Sequence, residues 1–244
     1  MDLWGITNIG KVRRQNQDVF KVLFDEERNI AVLVVCDGMG GARAGNIAST
    51  MAAEEFMHHI GKYLENIGSL NDIAEKMTEA VLIANKAVFK KSSENDAFAG
   101  MGTTLTAAVS TDDGEVVVNI GDSRLYHIKL NGITQITKDH SVVEDMISRG
   151  DLTRAEARRH PNKNLITKAL GTNVKEEPDV FFLKLNQGEY LLLCSDGLSN
   201  VVFDSEVLFE FQQGKSVRQC CETLVDMALS RGAPDNVTAV IFKK

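Results

Sequence analysis

The sequence predicts an α+β protein whose antiparallel sheets are covered by helices. Two turn signals carry the sheet prediction: Thr111-Asp112-Asp113-Gly114 separates two apolar segments, and Asn131-Gly132 is the strongest short signal for a hairpin. Two long segments instead repeat apolar residues at spacings of three and four, which is typical of helices that cover a sheet. Hairpins dominate and alternating strand–helix–strand units are missing, which favours antiparallel sheets.

The predicted elements follow one another as strands, two helices, hairpins, a charged segment, more strands, a helix and a last strand. Strands are expected at residues 19–24, 30–36, 103–110, 115–120, 125–130, 133–136, 165–169, 180–185, 190–195 and 237–242. Helices are expected at about 44–64, 70–89 and 217–229. The charged segment at 139–163 is expected to be a helical excursion away from the core.

Length and composition indicate one globular domain over residues 1–244. The chain has 43% apolar and 25% charged residues, which is ordinary for such a domain, and no Pro- or Ser-rich linker divides it. The net charge of -7 argues against nucleic acid as the main partner, because phosphate-backbone binding needs clustered Lys and Arg. Phosphorylated substrates stay compatible with this charge if bound cations locally invert its sign.

Cysteine usage predicts a reducing, cytoplasmic environment. Cys36 and Cys194 lie in apolar strands and Cys220 and Cys221 are adjacent, so no pair has metal-ligand spacing. The first residues lack the basic and apolar regions of a signal peptide. No apolar run approaches the length needed to cross a bilayer, so we expect no membrane partner.

One sequence motif occurs twice: an apolar strand followed by Asp-Gly. Residues 30–36 precede Asp37-Gly38, and residues 190–195 precede Asp196-Gly197, while Asp235-Asn236 stands just before the last apolar segment. Each Asp alone is typical of a turn. Strands this apolar place their ends near the core, however, where carboxylates without a cation are costly. Because carboxylate oxygen is what Mg²⁺ and Mn²⁺ prefer, the three acids together predict one metal site assembled by the fold.

Other polar motifs are weak signals when each is taken alone. The segment from Arg13 to Asp18 is either a solvated turn or an arginine for a phosphate oxygen beside an acid near the metals. Residues 119–126 read as a tight turn with an internal Asp–Arg pair, and residues 137–141 as the N-cap region of the next helix. Gly102-Thr103-Thr104 is unremarkable alone.

Taken together and in this order, the motifs resemble the metal-dependent Ser/Thr protein phosphatases of type 2C (the PPM family), in their compact bacterial form. The resemblance is carried by Arg13 with residues 16–18, and by residues 37–41, 102–104, 119–124, 139–141, 165–171, 195–198 and 235–236. It implies a four-layer α-β-β-α sandwich with two central antiparallel sheets flanked by helices. It also implies one catalytic domain over residues 1–244, with a mobile flap at about 142–163.

The resemblance further implies a binuclear Mn²⁺ or Mg²⁺ centre at one end of the sandwich. Asp37 would bridge both ions, and the backbone carbonyl of Gly38 would contact one of them. Asp196 and Asp235 would hold the other ion, and Gly197 after Asp196 would supply only the turn. Asp18 would reach the centre mostly through bound water.

Two further roles follow from the resemblance. Some bacterial members bind a third, weaker metal, whose ligands here would be Asp122 and Asp196. Arg13 would hold the substrate phosphate, so that Arg13, Asp37 and Asp196 would be the catalytic residues. The chain offers no Cys-x5-Arg phosphatase loop, which agrees with hydrolysis by a metal-activated water and no phosphoenzyme.

Four positions depart from the family pattern without touching the expected ligands: Gln17, Met39, Ala42 and Asn46. Some members carry a His at the position of Met39 that is proposed as the general acid, and many bacterial members carry one at the position of Ala42. We therefore hypothesise that water on the metal protonates the leaving seryl or threonyl oxygen. A side-chain acid would instead direct attention to His140 and His160, for which structural roles are the alternative.

The sequence therefore predicts an enzyme that hydrolyses phosphoserine and phosphothreonine in proteins and opposes a Ser/Thr protein kinase. The alternative is a pseudophosphatase, a phosphoprotein-binding module that retains the fold, and the complete set of acids favours the enzyme. A phosphatase of a partner-switching pathway usually has extra sensory domains, for which no residues are left. We expect phosphorylated Ser/Thr proteins, including a cognate kinase, as partners, and a monomer.

Overall fold

Two antiparallel sheets form the centre of the molecule. A computed structural model describes residues 2–64 and 67–244, apart from the side chains of residues 41–43. Sheet I has the strand order β1 (Asp2–Asn8), β11 (Val237–Lys243), β10 (Tyr190–Cys194), β7 (Arg124–Lys129) and β8 (Gly132–Gln135). Sheet II has the order β2 (Asp18–Asp25), β3 (Ile30–Met39), β5 (Leu105–Ser110), β6 (Glu115–Ile120) and β9 (Asp179–Leu183), and β4 (Gly102–Thr103) pairs with the end of β3.

Helices cover the outer face of each sheet. The helices of the described residues are α1 (Gly41–Tyr63), α2 (Leu70–Ser92), α3 (Val142–Arg149), α4 (Arg154–Ala157), α5 (Asp196–Ser199), α6 (Asp204–Gln212) and α7 (Val217–Ser230), with one 3-10 turn at Asp96–Phe98. The helices α1 and α2 share a core with sheet II, whereas α5, α6 and α7 share one with sheet I. A third core fills the space between the sheets. The expected four-layer α-β-β-α sandwich is therefore confirmed.

Side-chain alternation along β3 explains how the layers form. Val32, Val34 and Cys36 pack toward the helices, while Leu33 and Val35 pack toward sheet I. A strand buried on both faces reads as a continuous apolar run, which is why this segment shows no polar alternation. The same alternation decides which side the polar residues beyond the run will face.

Most predicted elements are confirmed, but two expectations about strands are wrong. Residues 165–169 form no strand and contribute only isolated bridges, Ser141 with Ile166 and Thr103 with the following Leu170. The strand β3 does not end at Asp37, because it continues to Met39 and its end pairs with β4. The helix α6 was not predicted, because exposed Phe209 obscures its apolar stripe.

The charged segment contains the two short helices α3 and α4, in agreement with a helical excursion. Ser141 caps the start of α3 with a side chain that accepts a hydrogen bond from the backbone N–H of Glu144, and Gly150 caps its end in the left-handed conformation. Thr153 and Glu156 cap the start of α4 reciprocally. Among the described residues, no helix combines the length and the apolar character needed to span a bilayer.

Candidate active site

Sheet II brings the first two acids together by strand register. Asp18 is paired directly with Asp37 across the antiparallel β2–β3 ladder, so their side chains lie on the same face. Phe20 and Val35, two residues away on each strand, point into the space between the sheets. Alternation therefore directs both carboxyl groups to the inter-sheet face, at one end of the sandwich.

Sheet I holds the Asp18 carboxyl group from the opposite side. The hydroxyl groups of Ser195 and Thr238 donate to Asp18 Oδ2 at 2.6 and 2.7 Å. Asp18 Oδ1 is buried and has no hydrogen-bond partner among the described residues. Burial raises the pKa of Asp18 to about 7 and outweighs the two hydrogen bonds, which lower it. A buried carboxylate oxygen with no partner is a candidate for contact with bound water or a cation.

The backbone of Asp37 is fixed by two threonines. Asp37 N donates to Thr104 Oγ1 at 2.9 Å, and Asp37 O accepts from Thr103 Oγ1 and Thr104 N, each at 2.9 Å. Burial raises the pKa of the Asp37 carboxyl group well above its ordinary value, and the charges of Asp18 and Asp196 add to this shift. A group with several like charges around it gains strongly from a cation.

Gly38 allows two backbone segments to approach closely. A Cβ at this position would overlap the carbonyl oxygen of Gly45 at the start of α1. Gly38 N also donates to the carbonyl oxygen of Gln17 at 3.1 Å. The glycine is therefore required by the close contact between β3, α1 and the chain before β2.

Asp196 is the first residue of α5, directly after β10. Asn200 Nδ2 donates to Asp196 Oδ2 at 3.0 Å, while Oδ1 is buried without a partner in the described part of the chain. Burial and then the charge of Asp235 raise the pKa of Asp196 to about 6. Gly197 was expected to supply only a turn, but it lies in α5, and a Cβ there would overlap the carbonyl oxygen of Asn236.

Asp235 stands just before β11 and is paired with Arg13. Arg13 Nη2 lies 2.6 Å from Asp235 Oδ2, and Asp235 Oδ1 accepts from the backbone of Asn236 at 2.9 Å. The Arg13 side chain is half exposed, and its other donors make no hydrogen bond with the described residues. The guanidinium group is thus anchored at one edge and open to the cleft at the other.

Asn236 organises the loop before β2 and was missed as a site residue. Its Oδ1 accepts from Gln17 N at 2.8 Å, and its Nδ2 donates to the carbonyl oxygens of Ile9 and Gln15 at 2.9 and 3.0 Å. Ser195 and Thr238, which support Asp18, were also not predicted as site residues. The available signal was a polar residue inside, or at the end of, an otherwise apolar strand.

Asp122 lies in the turn between β6 and β7, which His140 holds in place. Gly121 N donates to His140 Nδ1 at 3.1 Å, so Nε2 carries the hydrogen and donates to Asp179 Oδ2 at 3.1 Å. Burial, followed by the charge of Asp196, raises the pKa of Asp122 well above its ordinary value. The expectation of an Asp–Arg pair inside this turn is wrong, because Arg124 pairs with Asp139, which lies outside the turn, at 2.6 Å.

These residues line one cleft of 680 Å³, which we call the acidic cleft. It is lined by Arg13, Arg14, Gln15, Gln17, Asp37, Gly38, Met39, Gly40, Thr104, Asp122, Asn164, Ile166, Asp196 and Asp235. Six of the seven predicted site residues are therefore brought together, and Asp18 lies buried behind Asp37. His140 and His160 are not among the lining residues, and the side chain of Ala42 lies outside the described part of the structure.

The donor set of the acidic cleft fits divalent cations. Asp18 and Asp196 each have a buried carboxylate oxygen without a partner in the described residues, and both acids lie close enough to Asp37 to raise its pKa. Among the described residues, no three His, Cys, Asp or Glu side chains are already grouped to hold one ion. Each ion would therefore also need carbonyl or water oxygens, which is ordinary for Mg²⁺ and available at Gly38.

Comparisons with known proteins agree with this geometry. Residues 11–229 match the family profile described as Protein phosphatase 2C. A relative from Listeria welshimeri, named Serine/threonine phosphatase stp, is 33% identical over 98% of this chain and 94% of its own length. Protein phosphatase PhpP of Streptococcus pneumoniae is 34% identical over 99% of this chain and 96% of its own length.

Solved structures show the same fold. The serine/threonine phosphatase Stp1 from Staphylococcus aureus has a TM-score of 0.93 at 33% identity, covering 100% of this chain and 94% of that one. The catalytic domain of PstP, solved with 2 manganese ions, has a TM-score of 0.83 at 33% identity, covering 98% and 96%. The chain therefore belongs to the protein phosphatase 2C family. Its enzyme class is that of the protein-serine/threonine phosphatases.

Proposed function

We propose that the chain hydrolyses phosphoserine and phosphothreonine in proteins, using two Mn²⁺ or Mg²⁺ ions held in the acidic cleft. The observation that carries this proposal is the convergence of acids from both sheets, with the buried oxygens of Asp18 and Asp196 left unpartnered. The names of the relatives supply the substrate class, and the two manganese ions of the PstP structure support a two-metal site.

The residues that would hold the ions are those of the cleft floor. Asp37 would bridge them, the Gly38 carbonyl oxygen would contact one, and Asp196 and Asp235 would hold the other. Asp18, buried behind Asp37, would act through water. When bound, the ions lower the pKa of a water molecule and offset charge on the phosphate oxygens.

A third, weaker ion would use Asp122 together with Asp196. Both side chains line the same cleft, and Asp196 contributes to the raised pKa of Asp122. The turn that carries Asp122 is fixed by His140, so its position is set before any ion binds.

The chain's own groups bind and orient the phosphate. Arg13 stands at the rim of the cleft with donors free, and its bond to Asp235 limits the directions in which the guanidinium can point. A planar guanidinium matches two phosphate oxygens at once and stabilises charge that develops on them. Ser195 and Thr238 keep the Asp18 carboxyl group in one orientation.

A covalent phosphocysteine route is disfavoured by the thiols. All four cysteines are buried, and burial raises the pKa of Cys194 to about 12. The thiol pKa values of Cys36, Cys220 and Cys221 are raised for the same reason. A thiol with so high a pKa is a poor nucleophile at neutral pH, so direct attack by water is the simpler chemistry.

We also propose a domain organisation, an oligomeric state and a cellular compartment for the enzyme. The enzyme would act as a single catalytic domain with a flap at about 142–163, and as a monomer that opposes a Ser/Thr protein kinase in the cytoplasm. The buried, unpaired cysteines fit a reducing compartment. The net charge of -7 fits protein substrates better than nucleic acid.

The experiment is hydrolysis of p-nitrophenyl phosphate and of a phosphothreonine peptide with and without Mn²⁺. We expect turnover that requires Mn²⁺ and is lost in Asp37→Asn, while Asp226→Asn, an exposed acid on α7, retains it. Turnover that is independent of metal would contradict the two-metal proposal. Binding of the phosphopeptide without any turnover would instead support the pseudophosphatase alternative.

A further inference from the structure

A second cleft adjoins the acidic cleft on the side of the charged segment. This flap cleft has a volume of 710 Å³ and shares Asp122 and Asp196 with the acidic cleft. Its outer walls are Arg158 on the segment of α4 and the residues Phe203 and Asp204 at the start of α6. Clefts of this size accommodate short segments of a ligand. A peptide bound with its phosphate in the acidic cleft can therefore extend directly into the flap cleft.

Arg158 is a cation of the flap cleft whose hydrogen-bonding edge is open. Its guanidinium carbon lies 4.4 Å from the centroid of the Phe203 ring, and the nearest carboxylate oxygen, on Asp204, is 3.9 Å away. That separation is beyond hydrogen-bond distance. The Arg158 side chain donates no hydrogen bond to any residue that the structure describes. Its N–H donors are thus available to a ligand.

Phe203 presents the arginine in a fixed position. Its backbone N–H donates to Glu206 Oε2 at 2.9 Å, and its carbonyl oxygen accepts from the backbone of Glu206 and Val207. Phe203 is 52% exposed and has the guanidinium group on the face of its ring. Stacking of this kind holds an arginine by its face and leaves the edge, where the donors lie, free.

The neighbouring arginine of the cleft is differently placed. Arg154 donates to both carboxylate oxygens of Glu144, at 3.3 and 3.5 Å, so a buried acid already meets its charge. Asp204, half exposed and 3.9 Å away, is the acid nearest to Arg158. An acidic side chain on a ligand could therefore displace a weak partner at Arg158, but would have to displace a hydrogen-bonded one at Arg154.

We propose that Arg158, held by Phe203, binds the carboxylate of an Asp or Glu close in sequence to the phosphorylated residue of the substrate protein. The inference rests on the proposed function, because it assumes that the phosphate occupies the acidic cleft. It makes Arg158 a specificity-determining residue, and it makes Asp204 its competitor. The ligand class is an acidic phosphopeptide segment.

The test is a set of phosphothreonine peptides in which a single Glu or Gln is placed at each position from four before to four after the phosphothreonine. The readout is the ratio of kcat/KM for the Glu peptide to that for the Gln peptide, measured with Mn²⁺. At one position we expect a ratio of about two to five, the range of a partly exposed ion pair. Arg158→Gln should bring this ratio close to one.

Two further variants sharpen the test. Asp204→Asn removes the competitor and should raise the ratio above that of the parent chain. Arg149→Gln removes an exposed arginine of α3 outside the flap cleft and should leave the ratio unchanged. A ratio that persists in Arg158→Gln, or a parent chain with no preference at any position, would overturn the inference. A purely structural role for Arg158 would lower both rates together and keep the ratio.

The outcomes separate this inference from the proposed function. A parent chain that fails to hydrolyse p-nitrophenyl phosphate with Mn²⁺ contradicts the proposed function itself. A parent chain that hydrolyses this small substrate and treats Glu and Gln peptides alike contradicts only the role of Arg158.

Discussion

Asp37-Gly38 and Asp196-Gly197 have the same two residues after an apolar strand, but they occupy different structures. The first pair lies inside β3, where Thr103 and Thr104 bind the backbone of Asp37. The second pair begins α5 after β10 has ended. Neither glycine serves mainly as a turn, since each lies where a carbonyl group leaves no room for a Cβ. The shared dipeptide therefore combines an acid with a close backbone contact.

The residue before each acid shows the second difference. Cys36 points toward the helices, with Val34 and Val32. Ser195 instead donates to Asp18 in the space between the sheets. One copy of the motif thus delivers an acid only, whereas the other delivers an acid and a support for a second acid.

The largest expected effect is on turnover, and it should be greater for loss of Asp37 than for loss of Asp196. Asp37→Asn should lower Mn²⁺-dependent turnover by more than about 100-fold, the upper range for a residue that merely supports a ligand. Four other carboxyl groups raise the pKa of Asp37, which places it at the centre of the cluster. Asp196→Asn should lower turnover by a smaller factor. The charge of Asp235 is the main one that raises the pKa of Asp196, which places Asp196 at the side of the cluster near Asp235. The measurement is kcat/KM for p-nitrophenyl phosphate, with circular dichroism as the control for folding, and equal losses would contradict a central role for Asp37.

The next effect concerns the residue before each acid. Ser195→Ala should raise the Mn²⁺ concentration for half-maximal activity by about 10–100-fold, because Asp18 loses one of its two hydroxyl donors. Cys36→Ala is the matched control, with a cost in stability and no change in the Mn²⁺ requirement. Calorimetric titration with Mn²⁺ gives a readout that does not depend on turnover. An unchanged Mn²⁺ affinity in Ser195→Ala would show that Thr238 alone is enough.

The glycines should behave alike despite their different settings. Gly38→Ala and Gly197→Ala should each lower the free energy of unfolding by about 1–3 kcal/mol, because the added methyl group overlaps a backbone carbonyl. Gly61→Ala, in the last turn of α1 with no atom near the new methyl group, should raise it by up to about 1 kcal/mol. Urea unfolding measures all three. A neutral Gly197→Ala would mean that α5 moves away from Asn236 freely.

The smallest expected effect is a gain in stability from Asp37→Asn, the same substitution that should lower turnover most. Burial and neighbouring acids raise the pKa of Asp37, so its ionisation opposes folding increasingly as pH rises above the unfolded value of about 4. In the presence of a chelator, Asp37→Asn should therefore be more stable than the parent at pH 8, by about 1 kcal/mol or 2–4 °C in Tm. The difference should vanish below about pH 3, where the parent's carboxyl group is protonated in both the folded and the unfolded state. A variant less stable than the parent at pH 8 would contradict this electrostatic account.

Asp37, Asp196 and Asp235 were predictable because each follows or precedes an apolar run, which is a local pattern, whereas Asp18 and Asp122 were expected from the family resemblance. Their supports were not, because Ser195 and Thr238 meet Asp18 across separations of 177 and 220 residues. Gly197 was misjudged for the same reason, since the group that excludes a Cβ belongs to Asn236. Apolar periodicity and turn signals predicted antiparallel sheets covered by helices, and the four-layer order was expected from the family resemblance.

Two segments escaped prediction for physical reasons of their own. Residues 165–169 have the residue types of a strand, but their backbone bonds single residues on two different segments, as in Thr167 N to His140 O and Leu170 N to Thr103 O. The helix α6 carries its buried Val207 and Phe211 beside an exposed phenylalanine, which removes the clear stripe that marks α1 and α2.

The hydrogen bonds around Asp18 join residues that are made at opposite ends of synthesis. The acid enters early in the chain, and the hydroxyl groups that hold it enter only at residues 195 and 238. A ribosome-bound chain lacks Asp235, Asn236 and Thr238 until β11 has been made. With the roles proposed for these residues, catalysis becomes available only after residue 238 has been made, and the unfinished chain would not act on phosphoproteins around it.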